Sequence, residues 1–321
     1  MAPVLEAKNI VRDYHVGGTL FGGGRTVHAV RGVSFTLEKG KTLAIVGESG
    51  SGKSTLARIL TLIDRQTDGE LRMDGETIDI GKTGVTKALR RKVQMVFQDP
   101  YGSLDPRQRA EDIVAEPLLV HGMRSRAARR ERVAELFDRV GLRSDQMGNV
   151  PSKFSGGQRQ RLAIARALAL SPALIVADEP VSALDVSIQA QVINLMSDIQ
   201  KELGLSYLFV SHDLGIVQHI SDRVAVMYLG RVVEIGSTRA LFSSPGHPYT
   251  RTLLDALPRP DPARRLTKQR IPRGEIPSPL NPPAGCAFHP RCPLASDICR
   301  RELPQLRPLA SGTQAACHHA A

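Results

Sequence analysis

The stretch Gly47-Glu48-Ser49-Gly50-Ser51-Gly52-Lys53-Ser54 has the residue types and spacing that cradle a phosphate chain. Its glycines let backbone N–H groups converge on phosphate oxygens, and a following helix adds the partial positive charge of its N-terminus. Lys53 suits the β- and γ-phosphates and the Ser54 hydroxyl suits Mg²⁺. Asp178 and Glu179 close the apolar run Leu174-Ile175-Val176-Ala177. Asp178 suits the Mg²⁺ shell, directly or through water, and Glu179 suits the polarisation of an attacking water. A second glycine-rich turn, Ser155-Gly156-Gly157-Gln158, lies between these segments. Two phosphate-facing elements in one chain imply a nucleotide held between two subunits, each supplying one of them. The alternatives are a flexible Gly/Ser turn and solvated strand-end acids, and the context of each segment decides against them.

That context is a set of strands that must deliver these residues to one place. Thr42-Leu43-Ala44-Ile45-Val46 reads as a buried strand leading into Gly47, and Ser54-Thr55-Leu56-Ala57-Arg58-Ile59-Leu60 as the helix after it. Strand, glycine-rich loop and helix together make a P-loop. Ligands of open α/β sheets bind beyond the carboxyl ends of strands, which is where Asp178 and Glu179 emerge. Leu205 to Val210 reads as a further strand with Ser211-His212-Asp213 at its end, and Val96-Phe97 precedes Gln98. Leu5 to Tyr14 has the look of a short strand near the N-terminus.

The 321 residues allow one large domain with an appendage, or two domains. No apolar run approaches the ~20 residues of a membrane-spanning helix. Met1 to Glu6 lacks the basic and apolar segments of a secretory signal, so a cytosolic chain is expected. The formal charge of +11 suits nucleic acid, an anionic membrane surface or an acidic partner, and does not choose among them. Much of it lies in Arg124–Arg139 and Arg259–Arg273. The first of these reads as an amphipathic helix with a solvated face. No aromatic residues interleave with its arginines to stack bases, so no nucleic-acid partner is expected.

With Phe154 before it, the second glycine-rich turn resembles the signature motif of the ATP-binding subunits of ABC transporters, which reads Leu-Ser-Gly-Gly-Gln. Phe154 replaces the Leu at a position expected to pack rather than touch phosphate. The resemblance implies an α/β fold: a P-loop NTPase core of ABC type, an N-terminal antiparallel β portion holding Tyr14, and a helical insert at about 107–153. It implies that Gly47 to Thr55 and Asp178 bind ATP and Mg²⁺, with Tyr14 stacking on adenine. Gln98 then contacts Mg²⁺, Glu179 is the base and His212 the switch histidine at the γ-phosphate. Ser155, Gly156, Gly157, Gln158 and Asp185, the last within a D-loop at Ser182-Ala183-Leu184-Asp185, would complete the ATP site of a neighbouring subunit.

The chain beyond residue 236 reads as a small irregular extension, 237–321, rich in proline. Gly246-His247-Pro248-Tyr249-Thr250, the stretch Pro282 to Pro293, and Ser182 to Gln191 are similar to the ATPases of oligopeptide/dipeptide ABC importers. The segment Gly17 to Gly24 resembles an insertion in the second of the two ATPases such importers usually carry. Implied partners are two membrane permease subunits, a distinct second ATPase and an external binding protein. The implied place is peripheral, on the cytoplasmic face of the inner membrane. Nickel, glutathione or another small solute remains open as cargo. A soluble ABC ATPase acting on DNA or ribosomes is the alternative class, but this chain has neither a second core nor a coiled-coil insertion. All four cysteines, Cys286, Cys292, Cys299 and Cys317, lie in the extension. Their number suits structural zinc or an iron–sulfur cluster equally, and free thiols are the third possibility. Their long gaps lean toward iron–sulfur, and the importer family associates this spacing with a 4Fe–4S cluster.

Overall fold

The computed structural model describes residues 3–17, 24–78, 84–257 and 275–320. Most of the Gly17–Gly24 insertion and the Arg259–Arg273 basic stretch lie outside the described residues. The chain runs β1 (Pro3–Val16), β2 (Arg25–Glu38), β3 (Thr42–Val46), α1 (Lys53–Leu60), β4 (Asp68–Met73), β5 (Glu76–Ile78), α2 (Lys87–Lys92) and β6 (Val93–Val96). Helices α3 (Pro100–Ser103), α4 (Ala110–Val120), α5 (Arg126–Arg139) and α6 (Gly156–Leu168) follow. Then come β7 (Leu174–Asp178), α7 (Val186–Leu203), β8 (Ser206–Ser211), α8 (Leu214–Ile220), β9 (Arg223–Tyr228) and β10 (Arg231–Ser237). The C-terminal part adds α9 (Thr238–Ser243), α10 (Pro248–Asp255), α11 (Asp297–Arg301), β11 (Arg307–Pro308) and β12 (Gln314–Ala315).

Eight strands form the main sheet in the order β11-β12-β10-β9-β3-β8-β7-β6, and the block from β9 to β6 is parallel. Its central strands are apolar on both faces because both faces are covered. Leu43 and Ile45 of β3 join one core with Leu56, Ile59 and Leu60 of α1 and with Leu5 and Ile10 of β1. Ala44 and Val46 point the other way, into a second core with Leu136 and Phe137 of α5 and Leu162 of α6. The two-residue period of a strand thus shares one short segment between two layers. The N-terminal portion is a separate antiparallel sheet, β2-β1-β4-β5, laid over the first core.

Helices α4 and α5 lie between residues 107 and 153, and Phe154 just after that region is 3% exposed in the second core. Helix α5 buries Val133, Leu136 and Phe137 and turns its arginines outward, where Arg132 pairs with Glu135 and Arg139 with Glu202. Ser125 caps it by accepting from the Ala128 N–H at 3.3 Å. This is the solvated face that the sequence suggested. Among the described residues, no helix is long and apolar enough to cross a membrane.

The extension is less of an appendage than its composition suggests. Strand β12 pairs with β10, so residues 314–315 extend the main sheet. Glu234 of β10 is fully buried, and its carboxylate accepts from the Gly246 N–H at 2.7 Å, the His247 N–H at 2.8 Å and the Thr313 hydroxyl at 3.1 Å. A buried carboxylate so satisfied fixes three chain segments at once. Removing it leaves those donors unsatisfied, so Glu234→Ala should cost about 3 kcal/mol. Thermal unfolding, with limited proteolysis across residues 237–321, is the measurement.

His247 caps α10 by accepting from the Tyr249 N–H at 3.0 Å, and burial, with a smaller effect of Arg251, pushes its pKa down to about 3. The unfolded chain, with histidine at about 6.5, therefore binds the extra proton between these values. Stability is complete above about pH 6.5 and falls by up to ~1.4 kcal/mol per pH unit below it. His247→Asn keeps a capping acceptor without the titration, so its melting temperature should fall less between about pH 7 and 5 than that of the native chain.

Candidate active site

Four parallel strands bring their carboxyl ends to one level. In register, Val46 of β3 lies opposite Ser211 of β8, Asp178 of β7 opposite Val210, and Val96 of β6 opposite Ala177. Each predicted group follows one of these ends: the loop Gly47–Gly52 after β3, Glu179 after β7, His212 after β8 and Gln98 after β6.

The loop turns directly into α1, whose first residue is Lys53. Gly52 makes that turn at φ 97, and a Cβ there would run into the carbonyl oxygen of Ala29. Only glycine meets both demands. Lys53 is 5% exposed, and its ammonium donates to the carbonyls of Gly47 at 2.8 Å and Glu48 at 3.0 Å. Burial lowers its pKa, while Glu179, Asp178 and Glu48 pull it upward. Ser54 donates to Asp178 at 3.3 Å. Burial raises the pKa of Asp178, Glu179 raises it further, and the Ser54 hydrogen bond and Lys53 oppose the rise. The Ser54 hydroxyl and the Asp178 carboxylate are hard oxygen donors that fit Mg²⁺, which takes one or two protein ligands and completes its shell with water and phosphate.

Glu179 sits beside this pair in the left-handed region, at φ 47, which is unusual for a residue other than glycine. Its N–H donates to the Val210 carbonyl at 2.9 Å, so neighbouring β8 holds the bend. One carboxylate oxygen then meets Gln98 Nε2 at 2.8 Å and His212 Nδ1 at 3.2 Å. The side chain of Glu179 is 15% exposed and that of His212 60%, so the carboxylate is held at the mouth of the site. Three residues far apart in sequence therefore form one hydrogen-bonded group.

The turn at Ser155 is a capping box: Ser155 Oγ accepts from the Gln158 N–H at 3.3 Å and Gln158 Oε1 from the Ser155 N–H at 2.9 Å. Ser155 is exposed at the start of α6. Gly157 lets α6 approach α7, since a Cβ there would stand 2.5 Å from Ile188. Asp185 is the exposed residue before α7, and Val186 beside it is 81% exposed. Arg166 of α6 donates to the Ser103 carbonyl at 2.6 Å, tying the signature helix to the segment after Gln98. Tyr14 lies on β1 with Arg12 over its ring, and its hydroxyl donates to Asp64 at 2.5 Å. Asp64 follows the far end of α1 from the phosphate loop.

Sequence reading missed two residues at this site. Arg291 forms a two-pronged ion pair with Glu48, and the Glu48 N–H donates to the Tyr249 hydroxyl at 2.8 Å. Both lie in stretches singled out by their similarity to importer ATPases, but nothing local in them points toward the phosphate loop.

The iron–sulfur expectation is corrected. All four cysteines are free, and among the described residues no group of three or more His, Cys, Asp or Glu is placed to hold a metal ion. The thiols do gather: burial pushes Cys286 up to about 11, and Cys299, Cys317 and Cys292 add to the rise. Burial also raises Cys292 and Cys317. Cys286 and Cys299 instead pack into the second core. His318 and His319 turn elsewhere, to the Glu302 carbonyl and the Ser296 hydroxyl.

Comparison with known proteins agrees with this geometry. The ABC transporter family matches residues 30–182, and the C-terminal region of the oligopeptide/dipeptide transporters matches 233–299. A di/tripeptide transport ATP-binding protein of Pseudomonas aeruginosa is 54% identical over 100% of this chain and 98% of its own. A dipeptide transport ATP-binding protein of Haemophilus influenzae is 53% identical over 99% and 97%. A dimeric ATP-binding cassette solved in a post-hydrolysis state with ADP and Pi superposes with a TM-score of 0.65 at 32% identity, covering 73% of this chain and 99% of that one. The chain belongs to the ATP-binding, ATP-hydrolysing proteins of the dipeptide and oligopeptide ABC transporters.

Proposed function

We propose that this chain energises peptide uptake by closing on ATP together with a second, related ATPase subunit and parting from it after hydrolysis. The observation that carries this reading is the convergence of Gln98 and His212 on one carboxylate oxygen of Glu179, beside Ser54 and Asp178. The loop Gly47–Thr55 receives the phosphates through its N–H groups and Lys53, and Ser54, Asp178 and Gln98 would hold Mg²⁺. Held there, Mg²⁺ would supply charge neutralisation at the phosphate oxygens. Glu179 accepts the proton of the attacking water, and His212 orders that water at the γ-phosphate. The family resemblance assigns Tyr14 to adenine, and its ring has Arg12 over one face.

A site open at the carboxyl edge of a sheet surrounds only part of the γ-phosphate. The other part comes from the signature turn of the second subunit, with the N-terminus of its helix directed at the phosphate. The exposure of Ser155, Asp185 and Val186 on this chain supports the reciprocal contact. Two permease subunits would dock beside Gln98, where Phe97 is 38% exposed. The chain then works peripherally at the cytoplasmic face of the inner membrane, with an extracytoplasmic binding protein delivering cargo. Peptides are the cargo suggested by the names of the relatives.

Glu179→Gln should bind ATP normally and lose roughly a thousandfold in turnover, the scale of one general base. It should also accumulate as an ATP-bound closed dimer on gel filtration. Near-native hydrolysis would remove Glu179 from its role. Pull-down of the tagged chain from its own cells should recover two membrane permeases and a second ATPase, and recovery of DNA or RNA instead would refute the transport reading.

A further inference from the structure

We infer that Arg291 and Tyr249, both in the C-terminal extension, are positioning residues for ATP that act through Glu48. The inference rests on the assignment of the Gly47–Ser54 loop to ATP. A loop with three glycines has wide conformational freedom, yet its N–H groups must converge before phosphate arrives. Glu48 is the loop residue that the extension grips, while the Ser51 carbonyl accepts from the Gly230 N–H at 2.9 Å.

Arg291 Nη1 lies 2.7 Å from Glu48 Oε2 and Nη2 lies 3.0 Å from Oε1, the paired geometry of a guanidinium on a carboxylate. The Arg291 side chain is 7% exposed, and its guanidinium carbon stands 5.9 Å from the Tyr228 ring and 5.8 Å from the Phe288 ring. Those rings hold the fork in one orientation. Tyr249, fully buried, accepts the Glu48 N–H at 2.8 Å and meets Tyr228 edge-on with ring centroids 4.7 Å apart. From inside the loop, Lys53 donates to the Glu48 carbonyl at 3.0 Å. The extension thus holds the side chain and the N–H of the residue whose carbonyl Lys53 holds. Docking of the extension does not depend on this contact, since Glu234 and strand β12 anchor it separately.

The test uses the full-length chain and measures ATP affinity with a fluorescent ATP analogue alongside steady-state hydrolysis. Arg291→Met keeps an aliphatic stem between the rings and removes the fork. It should raise the KM and Kd for ATP by roughly five- to tenfold, with kcat changing less than about twofold. Arg291→Lys should restore part of the affinity. Glu48→Gln should shift affinity by the same factor, and the double variant should go no further, because both changes break one contact. Unchanged affinity in Arg291→Met overturns the inference, as do fully additive effects of the two changes. A shift accompanied by proteolytic loosening of the extension in both Arg291 variants overturns it too. Lys53→Ala separates the underlying reading: native affinity in that variant would refute the ATP assignment of the loop itself, whereas weak binding there with a native Arg291→Met would refute only the role of Arg291.

Discussion

Phosphoryl chemistry at the edge of a sheet needs several side chains to arrive at one height, and parallel strand pairing sets that height. The register of β6, β7, β3 and β8 places the ends of these strands side by side. Each end then needs only a residue or two to reach the common site. A slip of one residue in any pair would send the apolar residues to the wrong core and swing the polar end away. The alternation of Leu43 and Ile45 against Ala44 and Val46 between two cores makes such a slip costly. Burial in the sheet is therefore what holds Glu179 against Gln98 and His212.

The same economy governs the signature region. Helix α6 is fixed by its second-core packing and by the close approach that Gly157 allows, while its first turn stays at the surface. A capping box satisfies that turn with its own side chains. The turn is thus ordered before any partner arrives. Arg166 donates to the Ser103 carbonyl and so links this helix to the segment after Gln98.

The C-terminal extension shows how a proline-rich stretch with little regular structure becomes part of a domain. Its stability comes from polar anchors in dry surroundings: Glu234 collects three donors, and Arg291 meets Glu48 among aromatic rings. Cys286 and Cys299 fill part of the second core as small apolar groups, and Cys317 packs with Ala315 and Ala320.

The phosphate loop, the paired acids, the signature turn and the buried strands were legible in the amino-acid order, because each is a local pattern whose physics acts within a few residues. The solvated arginine face of α5 was legible for the same reason, whereas the helical insert was implied by the family resemblance. What lies between distant segments was not. Sequence placed Gln98, Glu179 and His212 at strand ends, but only strand order made them neighbours. Cysteine number and spacing suggested a cluster, whereas the fold buries the thiols without assembling a ligand set among the described residues. Arg291 and Glu48 stand 243 positions apart, and no periodicity or spacing encodes such a pair. Only packing the extension against the loop decided that contact, since charge complementarity acts on proximity that tertiary structure alone creates.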